Sequence, residues 1–226
     1  IMFNDKFLLT KAVLDGRKTQ TRRIVPQKEL DKINLFQEEY YDATFDKLEG
    51  VELLTHYFLT EKCGKLPYKV GEVVAVAQSY CSIADELENC NNATCAAHYE
   101  KNVQKVSEYI SCMEHPGFNN KMFVATDKMI HQIRITDVRI ERLQDISDED
   151  CLKEGVVKDT CKTYFNGYTV KFSLDQYNNM LSSEWFRTPR EAFAHLINKV
   201  SKKDVWSQNP YVFVYDFELV NIQSSL

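Results

Sequence analysis

The chain has 226 residues, of which 44% are hydrophobic and 12% aromatic, and this is enough to bury a complete core in one folded domain. The composition therefore excludes a chain that is disordered throughout. The formal net charge of −5 excludes a protein that coats nucleic acid without sequence preference, because phosphate neutralisation needs a surplus of Lys and Arg. A nucleic-acid partner would have to meet a local basic patch.

Targeting signals and cysteine usage predict a cytoplasmic protein. No apolar run is long enough to span a bilayer, and the first residues lack the apolar core of a secretory signal, so we expect no membrane partner. The seven cysteines are an odd number at scattered positions, which favours reduced thiols over a disulfide framework.

The amino-terminal third begins with two recognisable elements. Leu8, Ala12 and Val13 have helical spacing, and Gly16 is typical of a helix terminus, so a short helix is predicted over 7–15. The basic, β-compatible residues 17–26 end in Pro26 and indicate an edge strand or an extended loop. Residues 27–66 show no clean period and are expected to be irregular.

The middle of the chain alternates strand patterns with a helical insertion. Gly71 and the valines after it predict a turn and a central strand over 68–78. Residues 82–116 have a polar helical pattern, residues 121–125 indicate a strand, and residues 133–143 alternate as one long strand with a single irregularity.

Two helix starts and a last strand follow. Ser147 with Asp150 is typical of an N-cap, and Thr188-Pro189-Arg190-Glu191 is typical of a capping box with proline at the first helical position. The second helix carries one apolar stripe, and residues 211–219 predict a closing strand.

Three stretches together resemble the ASCH family. They are Gly16-Arg17-Lys18-Thr19-Gln20-Thr21-Arg22-Arg23, Lys69-Val70-Gly71-Glu72-Val73, and Leu143 to Asp150 followed by Glu154-Gly155. The resemblance is to the larger, phage-type members. It implies an α+β fold with a small mixed or antiparallel β-barrel of the PUA-like superfamily, helices at its rim and helical insertions. It also implies a single domain over 1–226 with insertions at about 27–66, 82–117 and 159–183.

The resemblance also implies a catalytic set. Small bacterial members are N4-acetylcytidine amidohydrolases that use a lysine, a threonine and a glutamate, which match Lys18, Thr21 and Glu154. A threonine hydroxyl needs a base to accept its proton, and a lysine serves only if burial or nearby cations lower its pKa. Because side chains alternate along a strand, Lys18 and Thr21 would need a bend between them to share a face.

A non-catalytic RNA-binding module is the alternative interpretation. In it, Arg17, Arg22 and Arg23 contact phosphates beside Lys18, Thr21 is an ordinary strand residue, and Glu154 lies on a helix surface. The expected partner under either hypothesis is a modified nucleoside or RNA. A phage-encoded protein whose insertions bind a host factor is a third hypothesis.

Five soft or borderline metal ligands lie close together in the predicted insertion: Cys90, Cys95, His98, Cys112 and His115. Four of them would satisfy zinc, but their spacing departs from the tight cysteine pairs of zinc ribbons and fingers. Ordinary buried thiols and surface histidines are the interpretation that we favour, and no metal or cofactor is predicted.

Overall fold

The computed structural model describes residues 1–39, 48–88, 106–161, 165–173 and 181–220. Within these limits the chain forms two compact units. The first contains Ile1–Phe3, Val73–Ile133 and the residues from Leu219 onward, and the second contains Asn4–Glu72 and Arg134–Glu218. No helix in the described part of the chain is both long enough and apolar enough to cross a membrane.

The fold is mixed α+β, with a curled antiparallel sheet and several helices. The described strands are β1 (Gln20–Ile24), β2 (Val73–Ala75), β3 (Gln132–Arg142), β4 (Val157–Cys161), β5 (Phe165–Ser173), β6 (Leu181–Phe186) and β7 (Tyr211–Val220). The α-helices are α1 (Leu9–Leu14), α2 (Gln27–Glu39), α3 (Gly50–Thr55), α4 (Tyr80–Glu88), α5 (Asp148–Lys153), α6 (Pro189–Ser201) and α7 (Val205–Gln208), and residues 106–110 are also helical.

The second unit is built on two sheets. In the first, β7 lies between β1 and β3, and β1 runs antiparallel to β7 with Thr21 opposite Tyr215. Both faces of β7 are buried, because Val212, Phe213, Val214 and Tyr215 are each at most 1% exposed. The second sheet has the antiparallel order β4-β5-β6, and α6 packs against β5 and β6. The first sheet, in which both faces of β7 are buried, carries the candidate site.

The first unit has a smaller core. Tyr80, Ile83 and Ala84 of α4 pack with Tyr109 and Val124. β2 lies beside the start of β3, and the next residue, Val76, donates its N–H to the His131 carbonyl. The unit therefore combines a helical cluster with a short piece of strand pairing.

Several predicted elements are confirmed. α1 ends just before Gly16, which has φ +70°, and β1 stands first in the strand order as an edge strand. β3 shows the expected irregularity, because its buried positions change phase between Ile135 and Val138. Ser147 caps α5 by accepting a hydrogen bond from the Asp150 N–H, and Thr188 and Glu191 form the capping box of α6.

Three predictions of local structure are wrong. Residues 27–66 contain the helices α2 and α3. Their buried positions, such as Ile33, Leu53 and Leu54, form helical faces too short to show a period in the sequence, so these helices were not predicted. The strand predicted as central is β2, which is short and stands last in the strand order. Residues 121–123 form a 3₁₀ turn, because the Asn120 side chain accepts the Met122 N–H and caps a helical turn instead.

Candidate active site

Two helix-to-strand connections, each containing a glycine with a positive φ, bring the site together. α1 leads through Gly16 to Lys18 and β1, and α5 leads through Glu154 and Gly155 to β4. The Thr19 N–H donates to the Lys153 carbonyl at 3.0 Å, so the two connections are hydrogen-bonded to each other. Gly155 has φ +109°, and a Cβ there would lie 2.9 Å from Leu9 Cδ2, which is why a glycine suits this close approach.

Lys18 and Glu154 form a buried ion pair across 136 positions of sequence. The Lys18 ammonium donates to Glu154 Oε2 at 2.5 Å, to the Glu154 carbonyl at 2.9 Å and to the Gln20 carbonyl at 2.7 Å. Their side chains are only 2% and 7% exposed. Burial lowers the pKa of Lys18 below its ordinary value, and the neighbouring Glu154 carboxylate opposes that shift.

Arg22 extends the pair into a network of charges. Its guanidinium donates to Glu154 Oε1 at 3.1 Å, to Glu141 Oε2 at 3.0 Å and to Gln20 Oε1 at 2.5 Å, and it lies 3.4 Å from Asp150 Oδ2. Arg139 continues the network through ion pairs with Glu141, Asp150 and Asp216. The Arg22 side chain is 1% exposed, so these hydrogen bonds and ion pairs lie inside the protein.

Sequence reasoning missed the acidic partners in this network, which are Glu141, Asp150 and Asp216. One signal was available in the sequence: Arg139 and Glu141 are two positions apart on a predicted strand and therefore share a face. Asp216 lies opposite Gln20 on the strand that pairs with β1, and the sequence does not reveal this register.

Thr21 lies on the other face of β1. Gln20 and Arg22 are hydrogen-bonded side chain to side chain, so they share the network face, and strand alternation turns Thr21 away from them. Its opposite neighbour is Tyr215, and Thr21 is 4% exposed. The structure therefore brings Lys18, Arg22 and Glu154 together, and it places Thr21 on the opposite side of the strand.

The other two predicted basic residues are more accessible than Arg22. Arg17 is exposed and forms an ion pair with Asp15 at 3.1 Å, and Arg23 is half-buried on the same face of β1 as Thr21. The three arginines therefore do not form one continuous surface. Their predicted contact with nucleic acid stays a prediction.

A cavity of about 780 Å³ lies in the second unit, and sequence reasoning missed it. Its lining includes Lys62, Lys65 and Lys69, together with Cys63 and a set of apolar side chains that are Phe58, Leu59, Leu66, Val70 and Val138. The Phe58 ring also packs against Phe213, which lies on the Thr21 face of the sheet. The signal in the sequence was the spacing of these lysines, with no acidic residue between Lys62 and Lys69.

The ligands for the zinc site considered above are only partly within the described ranges. Cys90, Cys95 and His98 lie outside the described residues. His115 Nδ1 accepts the Gly117 N–H at 2.9 Å, and Cys112 Sγ lies 3.5 Å from the Glu108 carbonyl. Among the described residues, no group of three His, Cys, Asp or Glu side chains is placed to hold a metal ion.

The arrangement places the amine of Lys18, the carboxyl group of Glu154 and the guanidinium of Arg22 in one buried cluster. Such a cluster can stabilise developing negative charge and exchange a proton, provided that a substrate displaces part of the hydrogen bonding around Lys18. It can equally fix two loops against the sheet.

The chain matches no family model, no curated protein and no solved structure.

Proposed function

We propose that this chain is an RNA- or nucleoside-directed amidohydrolase that removes the acyl group from N4-acetylcytidine or a related amide. The single observation that supports it is the buried contact between Lys18 and Glu154, two residues that the resemblance to the ASCH family selects from distant parts of the sequence. In this proposal, the curled antiparallel sheet corresponds to the PUA-like barrel of that family.

The proposed chemistry uses the two charges of the pair. Glu154 accepts a proton from a water molecule, whose oxygen attacks the acyl carbonyl carbon. The Lys18 ammonium donates a hydrogen bond to the carbonyl oxygen as it becomes an oxyanion. The C–N bond then breaks, the amine nitrogen takes a proton from the acid–base pair, and the products are a carboxylic acid and the free amino group of the nucleoside.

The role of Thr21 differs between this proposal and the family pattern. The burial of Thr21 on the opposite face of β1 is the reason for assigning the attack to water. Thr21→Val keeps the β-branched shape and removes the hydroxyl, so turnover is expected to survive this substitution. Loss of turnover in a folded Thr21→Val protein would instead return the nucleophile's role to Thr21.

A non-catalytic RNA-binding module is the second candidate, and a different observation favours it. The Lys18 ammonium already donates to three acceptors within the protein, which is the full number that an ammonium can serve. A closed pair of this kind suits a structural role. RNA would then be bound by accessible cations such as Arg17 and Arg23.

The test is conversion of free N4-acetylcytidine to cytidine, followed by chromatography. Wild type and Glu218→Gln are expected to form cytidine, whereas Lys18→Met and Glu154→Gln are expected to lose at least about 100-fold in kcat/KM. Glu218 is a matched control because its ion pair with Arg134 is exposed. Near-UV circular dichroism verifies that each variant is folded.

Two outcomes would overturn the proposal. Cytidine formation that is unchanged in Lys18→Met would remove the pair from the chemistry. Absence of turnover in wild type, together with RNA retention that falls steeply as salt rises, would favour the RNA-binding module.

A further inference from the structure

The described charged residues that line the cavity in the second unit are all basic. Lys62, Lys65 and Lys69 line it, and none of the lining residues in the described ranges is Asp or Glu. Within the described part of the chain, none of these three ammonium groups has an ion-pair partner. In a protein of net charge −5, this is a local concentration of positive charge.

The nearest acidic residues along the chain are already engaged. Glu61 lies 3.5 Å from His56 Nε2, and the Glu72 carboxylate accepts the backbone N–H of Lys69 at 2.8 Å. Neither interaction neutralises an ammonium group of the cavity. The cavity is therefore complementary to an anion that arrives from solution.

The loop that carries the lysines is held firmly at its base. Gly64 packs so closely that a Cβ there would lie 2.2 Å from the Phe58 ring. Phe58 is 1% exposed and makes edge-to-face contacts with Tyr57 and Phe213. Lys62 and Lys65 lie on either side of Gly64, so the packing of this glycine against Phe58 fixes where their backbone lies.

We propose that this cavity binds a phosphorylated small molecule of nucleotide size. Three cations within eight positions match a di- or triphosphate, which carries several negative charges on adjacent groups. The apolar side chains Leu59, Leu66 and Val70 offer a surface for the uncharged part of the ligand. The volume of about 780 Å³ lies within the range of small-molecule sites, which favours a small ligand over an RNA backbone.

The inference is independent of the proposed hydrolase. The cavity lies on the side of the sheet against which Phe58 packs, whereas Lys18 and Glu154 lie on the opposite side of β1. Binding in the cavity can therefore be measured without any turnover, and failure of one proposal leaves the other untouched.

Cys63 provides a built-in reporter, because it is exposed and lines the cavity. The experiment measures how fast iodoacetamide alkylates Cys63, by peptide mass spectrometry, with ADP, AMP, inorganic pyrophosphate or sodium chloride at equal ionic strength. ADP is expected to slow the alkylation of Cys63 at least about threefold at saturation, because a bound ligand covers the thiol. Cys81, in the first unit, is the internal control and should react at an unchanged rate.

A matched pair of triple variants separates the cavity from general charge. Lys62→Gln, Lys65→Gln and Lys69→Gln together should weaken ADP binding by about tenfold or more, since three charge-assisted contacts are lost. The control combines Lys199→Gln, Lys202→Gln and Lys203→Gln, which removes the same charge from another exposed surface. Each set includes one lysine with a left-handed backbone, Lys62 and Lys202, so backbone strain is matched.

Protection of Cys63 by ADP that is lost in the cavity variant and kept in the control variant would support the proposal. Three results would overturn it: no protection by ADP, equal protection in both variants, or protection that sodium chloride reproduces. Protection by single-stranded RNA but not by ADP would also overturn it, and would assign the lysines to an RNA surface.

Discussion

Replacement of Glu154 by Gln should destabilise the second unit far more than the same substitution at an exposed ion pair. Lys18 and Glu154 are 2% and 7% exposed, and Glu154 also accepts from Arg22. Glu154→Gln leaves the Lys18 ammonium and the Arg22 guanidinium buried without their shared anion. Loss of one partner from a buried pair costs about 3–5 kcal/mol of unfolding free energy. Glu218→Gln breaks a pair that is 50% and 57% exposed and should cost about 1 kcal/mol or less.

The pH dependence of this variant gives a second, independent signature. Without the Glu154 carboxylate, the charge and side-chain hydrogen bond that oppose the effect of burial on Lys18 are lost, so the folded-state pKa of Lys18 falls further below the ordinary value of 10.5. Between the folded-state pKa and 10.5, the unfolded chain binds more protons than the folded chain, and stability therefore rises with pH. The deficit of Glu154→Gln relative to wild type should accordingly shrink as pH rises toward 10.5.

The assay is urea denaturation followed by circular dichroism, at matched ionic strength and at several pH values. A loss of less than about 1 kcal/mol in Glu154→Gln, equal to that of Glu218→Gln, would refute the argument that the pair is buried and strongly coupled. A deficit that stays constant with pH would refute the attribution of the shift to Lys18.

Three further predictions concern single positions. Gly64→Ala should lower the unfolding free energy in urea titrations by more than Gly16→Ala does, because a Cβ at Gly64 would lie 2.2 Å from the Phe58 ring. Gly16 has open space around it, so Gly16→Ala should cost only the left-handed strain of about 1–2 kcal/mol. A loss in Gly64→Ala no larger than that in Gly16→Ala would contradict the packing argument. Burial raises the pKa of Cys151 from 9.0 to about 12, so the stability that the buried thiol contributes is complete below pH 9.0 and declines from there toward pH 12. Cys151→Ala should flatten this decline when urea midpoints are plotted against pH. An unchanged slope in the variant would contradict the assignment of the decline to Cys151. Thr188→Ala should cost about 1 kcal/mol of unfolding free energy, measured by thermal unfolding, because the capping box of α6 is lost. Thr126→Ala serves as the control, because Thr126 makes no such cap. Equal melting temperatures for wild type and Thr188→Ala would contradict the role of the cap.

Local chemistry explains which elements were predictable from the sequence. The caps at Ser147 and Thr188 depend on side chains within a few positions of each other, and the long alternation of β3 depends only on its own residues. The phase change in β3 was also visible as a break in alternation. Helix α2 was missed because its burial centres on few positions, among them Ile33, and the turn over 121–123 was missed because a side-chain cap outweighed strand propensity.

The candidate site was predictable only in part. The family resemblance selected Lys18 and Glu154 from motifs, and the structure places their side chains in contact. The position of Thr21 follows from strand alternation: Gln20, Thr21 and Arg22 lie within β1, and the ion-pair network lies on the face of Gln20 and Arg22. Which face of β1 meets Glu154 depends on contacts between distant segments, and local sequence patterns do not reveal these contacts.

The position of β1 at the edge of its sheet has one further consequence. Along five residues, this strand presents Gln20 and Arg22 to a cluster of carboxylates and Thr21 and Arg23 to the face of Phe213 and Tyr215. The first face is closed by ion pairs, and Phe58, which packs against the second face, lines a cavity whose lysines have no ion-pair partner among the residues that the structure describes. A ligand that brings negative charge from solution meets these cations at the cavity, whereas at the ion pair it must compete with carboxylates that are already in place. Anion recognition is therefore expected at the lysines, and chemistry at Lys18 and Glu154 requires a substrate whose carbonyl can replace an internal acceptor.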